Sequence, residues 1–206
     1  MLLTTFVRDD ARIVPRKFVT VMKCSERSGV TMARVEIPLE DLNLNIPELW
    51  TNSLLLCSGD FETNKFNMMT VGWGFFGYAW GKTQAQVMVR KSRYTYEFME
   101  QYPDFTLSAF DLENKEHQEC LQVLGTKSGR EIDKITGSGL TPIRSKSVKT
   151  PSFKEAILTL ECNKDYSFDL DQGRFLSGYI PSIYDDNDYH RIYCGEVVMA
   201  FSNLMK

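Results

Sequence analysis

No stretch of this chain is long and apolar enough to cross a bilayer. The longest run without a charged residue, Phe66 to Gly81, is broken by four glycines, Asn67 and Thr70, and it falls short of the roughly 18 apolar residues that a spanning helix needs. Basic charge is not in excess either. Twenty-four Lys and Arg against 27 Asp and Glu leave a formal net charge of −3, whereas a general nucleic-acid binder is usually basic. Histidine is scarce, with two residues, and there is no C-x-x-C pair. His117 and Cys120 supply half a metal site at most, so no metal is expected. Five scattered cysteines, Cys24, Cys57, Cys120, Cys162 and Cys194, exclude a disulfide scaffold and read as buried thiols of a reducing cytoplasm. The opening residues lack a basic segment ahead of an apolar one and reach Arg8 too soon for a secretory signal.

What remains is an ordinary globular composition of 206 residues, 43% hydrophobic and 25% charged, with no internal repeat. A chain of this size buries roughly 70% of its unfolded surface in one domain. The first 34 residues stand apart. Seven basic side chains oppose three acidic ones there, a local charge of +4 that leaves −7 for the rest. Residues 1–34 are therefore expected to form a basic extension peripheral to a single domain over 35–206. The alternative is that Lys17–Cys24 adds a strand.

The remaining signals are mostly strands. Ser53–Ser58 and Phe66–Trp73 read as a hairpin with a long loop. Gln86–Arg90, Phe105–Phe110, Ile157–Cys162 and Ile192–Phe201 read as further strands. Ser92–Gln101 and Lys115–Leu124 carry helical spacing, closed by Pro103 and Gly125. Short strands with few helices and no βαβ alternation predict a mainly β fold, a β-barrel with inserted helices.

Gly72-Trp73-Gly74-Phe75-Phe76-Gly77 matches G-x-G-x-x-G, but no helical period follows, so a dinucleotide-binding turn is not expected. No G-x-S-x-G nucleophile turn occurs. The strongest feature is Arg90-Lys91-Ser92-Arg93-Tyr94-Thr95, where a strand hands over to a helix. Ser92 is placed as its N-cap, and the free amides, Arg90, Arg93 and Thr95 suit a phosphate. The competing reading is a plain cap with solvated arginines. Thr126-Lys127-Ser128-Gly129-Arg130, followed by Asp133 and Lys134, reads as a polar loop between helices. The aromatic residues and glycines of Asn67–Gly81 suit either the approach of a flat ring or an ordinary core.

Taken in order, Asn67-Met68-Met69-Thr70-Val71-Gly72-Trp73-Gly74, Trp80-Gly81-Lys82, Val89-Arg90-x-Ser92-Arg93-Tyr94-Thr95 and Gly125 to Arg130 with Asp133-Lys134 resemble the flavin reductase-like family of FMN-binding split barrels, which includes flavoredoxin-type proteins. Gly139-Leu140-Thr141-Pro142, Leu160-Glu161-Cys162, Asp188-Tyr189-His190 and Tyr193-x-Gly195-Glu196 continue the likeness, which spans about residues 50 to 200. Where family members have proline after the Trp-Gly-Lys element, this chain has Thr83. The resemblance implies a split barrel with a Greek-key core that forms a homodimer, with FMN in a groove near the subunit interface. It implies that Asn67, Met68, Met69, Thr70 and Trp73 line the flavin ring and ribityl chain. Arg90, Ser92, Arg93 and Thr95 would hold the phosphate, and Ser128, Gly129, Arg130 and Lys134 would close the site. His190 is a candidate for the open face of the ring, and no other catalytic side chain is expected. The implied function is an oxidoreductase that passes electrons from NADH or NADPH through FMN to a small-molecule or protein acceptor. The alternative is an FMN-binding electron-transfer protein reduced by a protein partner. Neither nucleic acid nor membrane is an expected partner.

Overall fold

The computed structural model describes residues 19–20, 33–52, 54–184 and 186–204. Among the described residues, twelve strands and four α-helices follow one another. Their order is β1 (Val19–Thr20), β2 (Ala33–Ile37), β3 (Leu42–Asn43), α1 (Ile46–Thr51), β4 (Leu54–Asp60), β5 (Lys65–Val71), β6 (Gly74–Ala79), β7 (Lys82–Arg90), α2 (Tyr94–Gln101), β8 (Asp104–Ala109), α3 (Lys115–Thr126), α4 (Lys134–Ser138), β9 (Pro142–Ile143), β10 (Ser152–Phe153), β11 (Leu158–Asp169) and β12 (His190–Leu204). The main sheet is antiparallel and runs β5-β4-β8-β11-β12-β7-β6, with β2 added against β12.

The two ends of that path, β5 and β6, are consecutive in the chain. Only Gly72 and Trp73 separate them, a link that spans at most about 11 Å. The edges must therefore meet, and the sheet curls into a barrel. The β6–β7 ladder runs one rung further, the Met88 amide donating to the Trp73 carbonyl at 3.2 Å, while no ladder joins β5 to β6 among the described residues, which leaves the barrel split there. Hairpins β4–β5, β6–β7 and β11–β12 pair locally, while β8 returns to β4 and β12 returns to β7 in Greek-key fashion.

Period-two alternation fills the barrel. Ala85, Val87 and Val89 of β7, Phe105 and Leu107 of β8, and Leu158, Leu160 and Cys162 of β11 point into one core with Tyr193. β4 is buried on both faces, so it reads as the continuous run Leu54 to Cys57 without alternation. Its second face, Leu55 and Cys57, joins Met68, Leu121, Leu124 and Phe153 in an outer core beneath α3. The Asn114 side chain caps α3 by accepting from the Glu116 amide, as expected for an Asx N-cap.

The structure departs from the sequence-based expectation at element ends. The β4–β5 loop is only residues 61–64, held tight because the Asp60 carboxylate accepts from the Glu62 and Thr63 amides. β11 and β12 run well past the predicted Ile157–Cys162 and Ile192–Phe201. The added part of β11, residues 163–169, is mostly exposed and mixes charged with aromatic side chains, so no buried alternation marked it, and pairing with β12 carries it across two register shifts. Residue 33 already belongs to β2. The Arg34 guanidinium reaches buried Glu161 at 3.4 Å, and that carboxylate also accepts from the Lys146 and Ser147 amides. Of the Lys17–Cys24 stretch, Val19–Thr20 pairs in parallel with β3. The rest of the first 32 residues, including Cys24, lies outside the described residues. The other four cysteines are buried free thiols.

Candidate functional site

A cavity of about 110 Å³ opens beside β5. It is lined by Asn67 and Met69 of β5, Ser92 to Thr95 at the start of α2, Leu124 to Gly129 at the end of α3, and Lys134 of α4. Three cations, Arg93, Lys127 and Lys134, stand in that lining, and no carboxylate does. The site is thus built for an anion.

Each polar group is held by its element. Lys134 is 6% exposed, and its Nζ donates to the carbonyls of Met68 at 2.7 Å and Leu124 at 2.8 Å. Among the described residues its third ammonium proton has no protein acceptor. Burial, and after it the charge of Arg93, pull its pKa from 10.5 down to about 8. Arg93 pairs with no carboxylate among the described residues. Thr95 is buried and accepts from Asn67 Nδ2 at 2.8 Å, which leaves its own hydroxyl proton to donate. Gly129 lies so close to β5 and α2 that a Cβ there would come within 2.2 Å of Asn67 Oδ1 and 3.0 Å of the Tyr94 ring.

Along β5 the cavity adjoins a second one of about 400 Å³, lined by Thr70, Asn52, Leu112 and α3, with Gly125 and Thr126 common to both. β5 ends the sheet path, so one of its edges is unpaired. Lys134 bonding to the Met68 carbonyl shows which way that edge faces. Backbone direction alternates along a strand, so Thr70 presents its N–H and C=O the same way.

The structure therefore brings together Asn67, Met69, Ser92, Arg93, Thr95, Ser128, Gly129 and Lys134, with Thr70 in the adjoining cavity. Met68, Trp73, Arg90 and Arg130 lie elsewhere. The Met68 side chain is in the outer core, and only its carbonyl serves the site. The Arg90 guanidinium pairs with Asp186 at 3.2 Å and lies over the Tyr184 ring. Arg130 pairs with Glu97, donates to the Ser92 carbonyl at 3.3 Å and covers the Tyr94 ring. Trp73 packs near His190, with ring centroids 5.1 Å apart.

Ser92 is not the N-cap. The helix begins one residue later, with Arg93 at the cap position and no side-chain cap. Ser92 Oγ instead donates to Asp188 at 2.5 Å. The acidic partners Asp186 and Asp188 were not legible as site neighbours, because their loop meets Arg90 and Ser92 only through the β7–β12 pairing that sets His190 opposite Arg90. Lys127 was visible in the polar loop but had no signal separating it from a solvated lysine. His190 is buried, with Nδ1 at 2.8 Å from the Tyr184 hydroxyl. Burial, and then the charge of Arg90, lower its pKa from 6.5 to about 4, so it is neutral near pH 7. Among the described residues no cluster of His, Cys, Asp or Glu is arranged to hold a metal ion, and no helix is long and apolar enough to cross a membrane.

Solved structures share this architecture. An FMN-binding domain of a flavin reductase-like enzyme from Shewanella baltica OS155 superposes with a TM-score of 0.58 at 14% identity, over 84% of this chain and 79% of that one. Flavoredoxin from Methanosarcina acetivorans gives 0.55 at 21% identity, over 88% and 75%. Flavoredoxin of Desulfovibrio vulgaris (Miyazaki F) gives 0.54 at 18%, over 86% and 75%. At these identities the likeness is one of fold. An uncharacterized protein of Pyrococcus abyssi (strain GE5 / Orsay) is 28% identical over 114 residues, 54% of this chain and 52% of that protein, so the chain spans about half the length of this relative. Residues 54–203, which run from β4 into β12 and contain the whole lining of the anion cavity, match the flavin reductase like domain, and the chain belongs to that family.

Proposed function

We propose that the chain binds FMN in the groove along β5 and works as a flavin-dependent oxidoreductase, taking electrons from NADH or NADPH and passing them to an acceptor. The observation that carries the reading is the anion cavity itself, with three cations and no acid in its lining. The donor set fits an FMN phosphate. Arg93 and Lys134 supply charge, Thr95 and Ser128 supply hydroxyls, and the first turn of α2 supplies amides without a side-chain cap. The groove then continues past Met69 to Thr70, whose free backbone edge suits the hydrogen-bonding rim of a flat ring.

FMN, when bound, supplies the hydride and electron chemistry. The protein's own groups anchor the phosphate end, present the β5 edge to the ring and keep the polar end of the groove positively charged. Lys134 couples the anchor to β5 directly, since one ammonium binds the Met68 carbonyl and faces the cavity. Neutral His190, fixed by Tyr184 and packed against Trp73, contributes no charge near neutral pH and serves to hold that aromatic corner.

The same reading includes a homodimer. Phe75, Gln86, Cys194 and Tyr166 stand in one row across four strands, and Met88, Ile192 and Phe168 form the next row on the same face. Phe75 and Tyr166 are 60% and 57% exposed, an apolar face of the kind that protein contacts cover.

The test is the visible spectrum of the purified protein after adding FMN and desalting, then anaerobically with NADH or NADPH. A retained flavin band that bleaches with a nicotinamide supports the oxidoreductase. A retained band bleached only by a protein reductant assigns an electron carrier instead. If neither the spectrum nor an equilibrium titration detects FMN binding, the reading fails.

A further inference from the structure

We infer that an Arg130 latch makes this groove selective for a flavin ending in a phosphate monoester and closes it to a flavin extended through that phosphate into a dinucleotide. The inference rests on the flavin reading above and concerns which flavin the site accepts. The anion cavity is small, about 110 Å³, with room for a phosphate and the ribityl atoms next to it. Next to it lies a larger cavity of about 460 Å³, whose lining sets Phe66, Phe98 and Tyr102 among polar residues such as Asn64 and Gln101. Asn67, Tyr94, Gly129 and Lys134 line both and form the wall between them.

That wall is tight. The Gly129 backbone sits so close that a Cβ would collide with Asn67 Oδ1 and crowd the Tyr94 ring. Arg130 holds it shut from outside. Its guanidinium lies 4.7 Å over the Tyr94 ring, pairs with Glu97 of the next helical turn and donates to the Ser92 carbonyl at 3.3 Å. These contacts tie the loop after α3 to both sides of the start of α2. A second phosphate attached to the first would meet this wall, and the larger cavity, whose aromatic residues Phe66, Phe98 and Tyr102 could stack on an adenine ring, lies on its far side. Charge acts in the same sense. A monoester carries close to two negative charges near neutral pH, while each phosphate of a dinucleotide carries one, and the cavity concentrates its cations on a single phosphate.

Titrating FMN and FAD against the full chain, followed by flavin fluorescence quenching, tests the inference with the variants Arg130→Ala and Glu97→Gln. Glu97 is an exposed residue, so its variant removes the ion pair of the latch and weakens it even if Arg130→Ala fails to fold. The wild-type protein is expected to bind FMN at least about tenfold more tightly than FAD, and both variants to narrow that ratio to within about threefold. The FMN affinity itself should move by less than about threefold, since Arg130 does not line the anion cavity. Equal affinity of the wild-type protein for the two flavins overturns the selectivity. A ratio unchanged in both variants overturns the role of the latch. Failure of the wild-type protein to bind either flavin removes the flavin reading itself, and the selectivity with it.

Discussion

A phosphate entering the cavity meets Arg93 and Lys134 with no carboxylate in the lining to compete for them. Charge-assisted contacts to an anion are worth about 1.5–3 kcal/mol, so Arg93→Ala is expected to raise the FMN dissociation constant by about 10- to 150-fold, measured by fluorescence titration. Lys134 gives the same site a pH dependence. Its pKa of about 8 in the free protein leaves it mostly protonated at neutral pH, and a bound phosphate stabilises the charged form. Affinity should therefore be full from about pH 7 to about pH 8 and fall as pH rises through the upper value, and Lys134→Met should flatten this limb of the profile. His190 acts in the opposite range. Its pKa is lowered to about 4 in the folded state from about 6.5 when unfolded. The unfolded chain thus takes up the proton first, and stability contributed by neutral His190 is lost as pH falls from about 6.5 towards 4. Thermal melting followed over that range, with His190→Gln as the control, reads this directly.

Among the elements, α3 has two duties. Its apolar side closes the outer core over β4 and β5, and its last turn delivers Leu124 to Gly129 to the cavity. Leu124 joins the two, because its fully buried side chain packs in the outer core while its carbonyl accepts from Lys134. Leu124→Ala should cost about 2–5 kcal/mol of stability through the cavity it leaves, seen as a lower urea midpoint. It should also weaken FMN binding, because the end of the helix and Lys134 shift together. α2 contributes in another way, through its exposed start. Tyr193 Oη donates to Glu100 at 2.6 Å, and Arg191 reaches the same carboxylate at 2.7 Å. These bonds fasten the far end of α2 to β12, so its first turn faces the cavity on a fixed support.

For the whole molecule, the barrel closed by the two-residue link between β5 and β6 leaves the aromatic side chains Phe75 of β6 and Tyr166 and Phe168 of β11 exposed on its outer face in a single chain. The rows containing Phe75, Tyr166 and Phe168 are the surface on which a second copy is proposed to dock. Phe75→Glu places a charge on the exposed β6 side of that face and should shift sedimentation from dimer to monomer. A wild-type protein that sediments as a monomer at micromolar concentration would overturn the dimer. The fold itself was largely readable beforehand. Period-two runs such as Gln86–Arg90 and the continuous apolar run of β4 mark strands because alternation and double burial leave their pattern in the residues. The strand-to-helix turn at Arg90–Thr95 suggested an anion site because amides and arginines are local chemistry, and Ser92 to Thr95 do line the cavity. Partnership across space was not readable. Arg90, Ser92 and Arg93 are near neighbours in the chain, yet only Ser92 and Arg93 line the cavity, because Asp186 arrives from a distant loop to take Arg90. Arg130 and Lys134 share one polar segment, yet one turns to Glu97 and the other is buried against β5. Local pattern specifies which residue types can bind a phosphate, since that depends on nearby backbone and charge. Which of them face the same cavity depends on long-range strand pairing and helix packing, and these are decided only when the barrel closes.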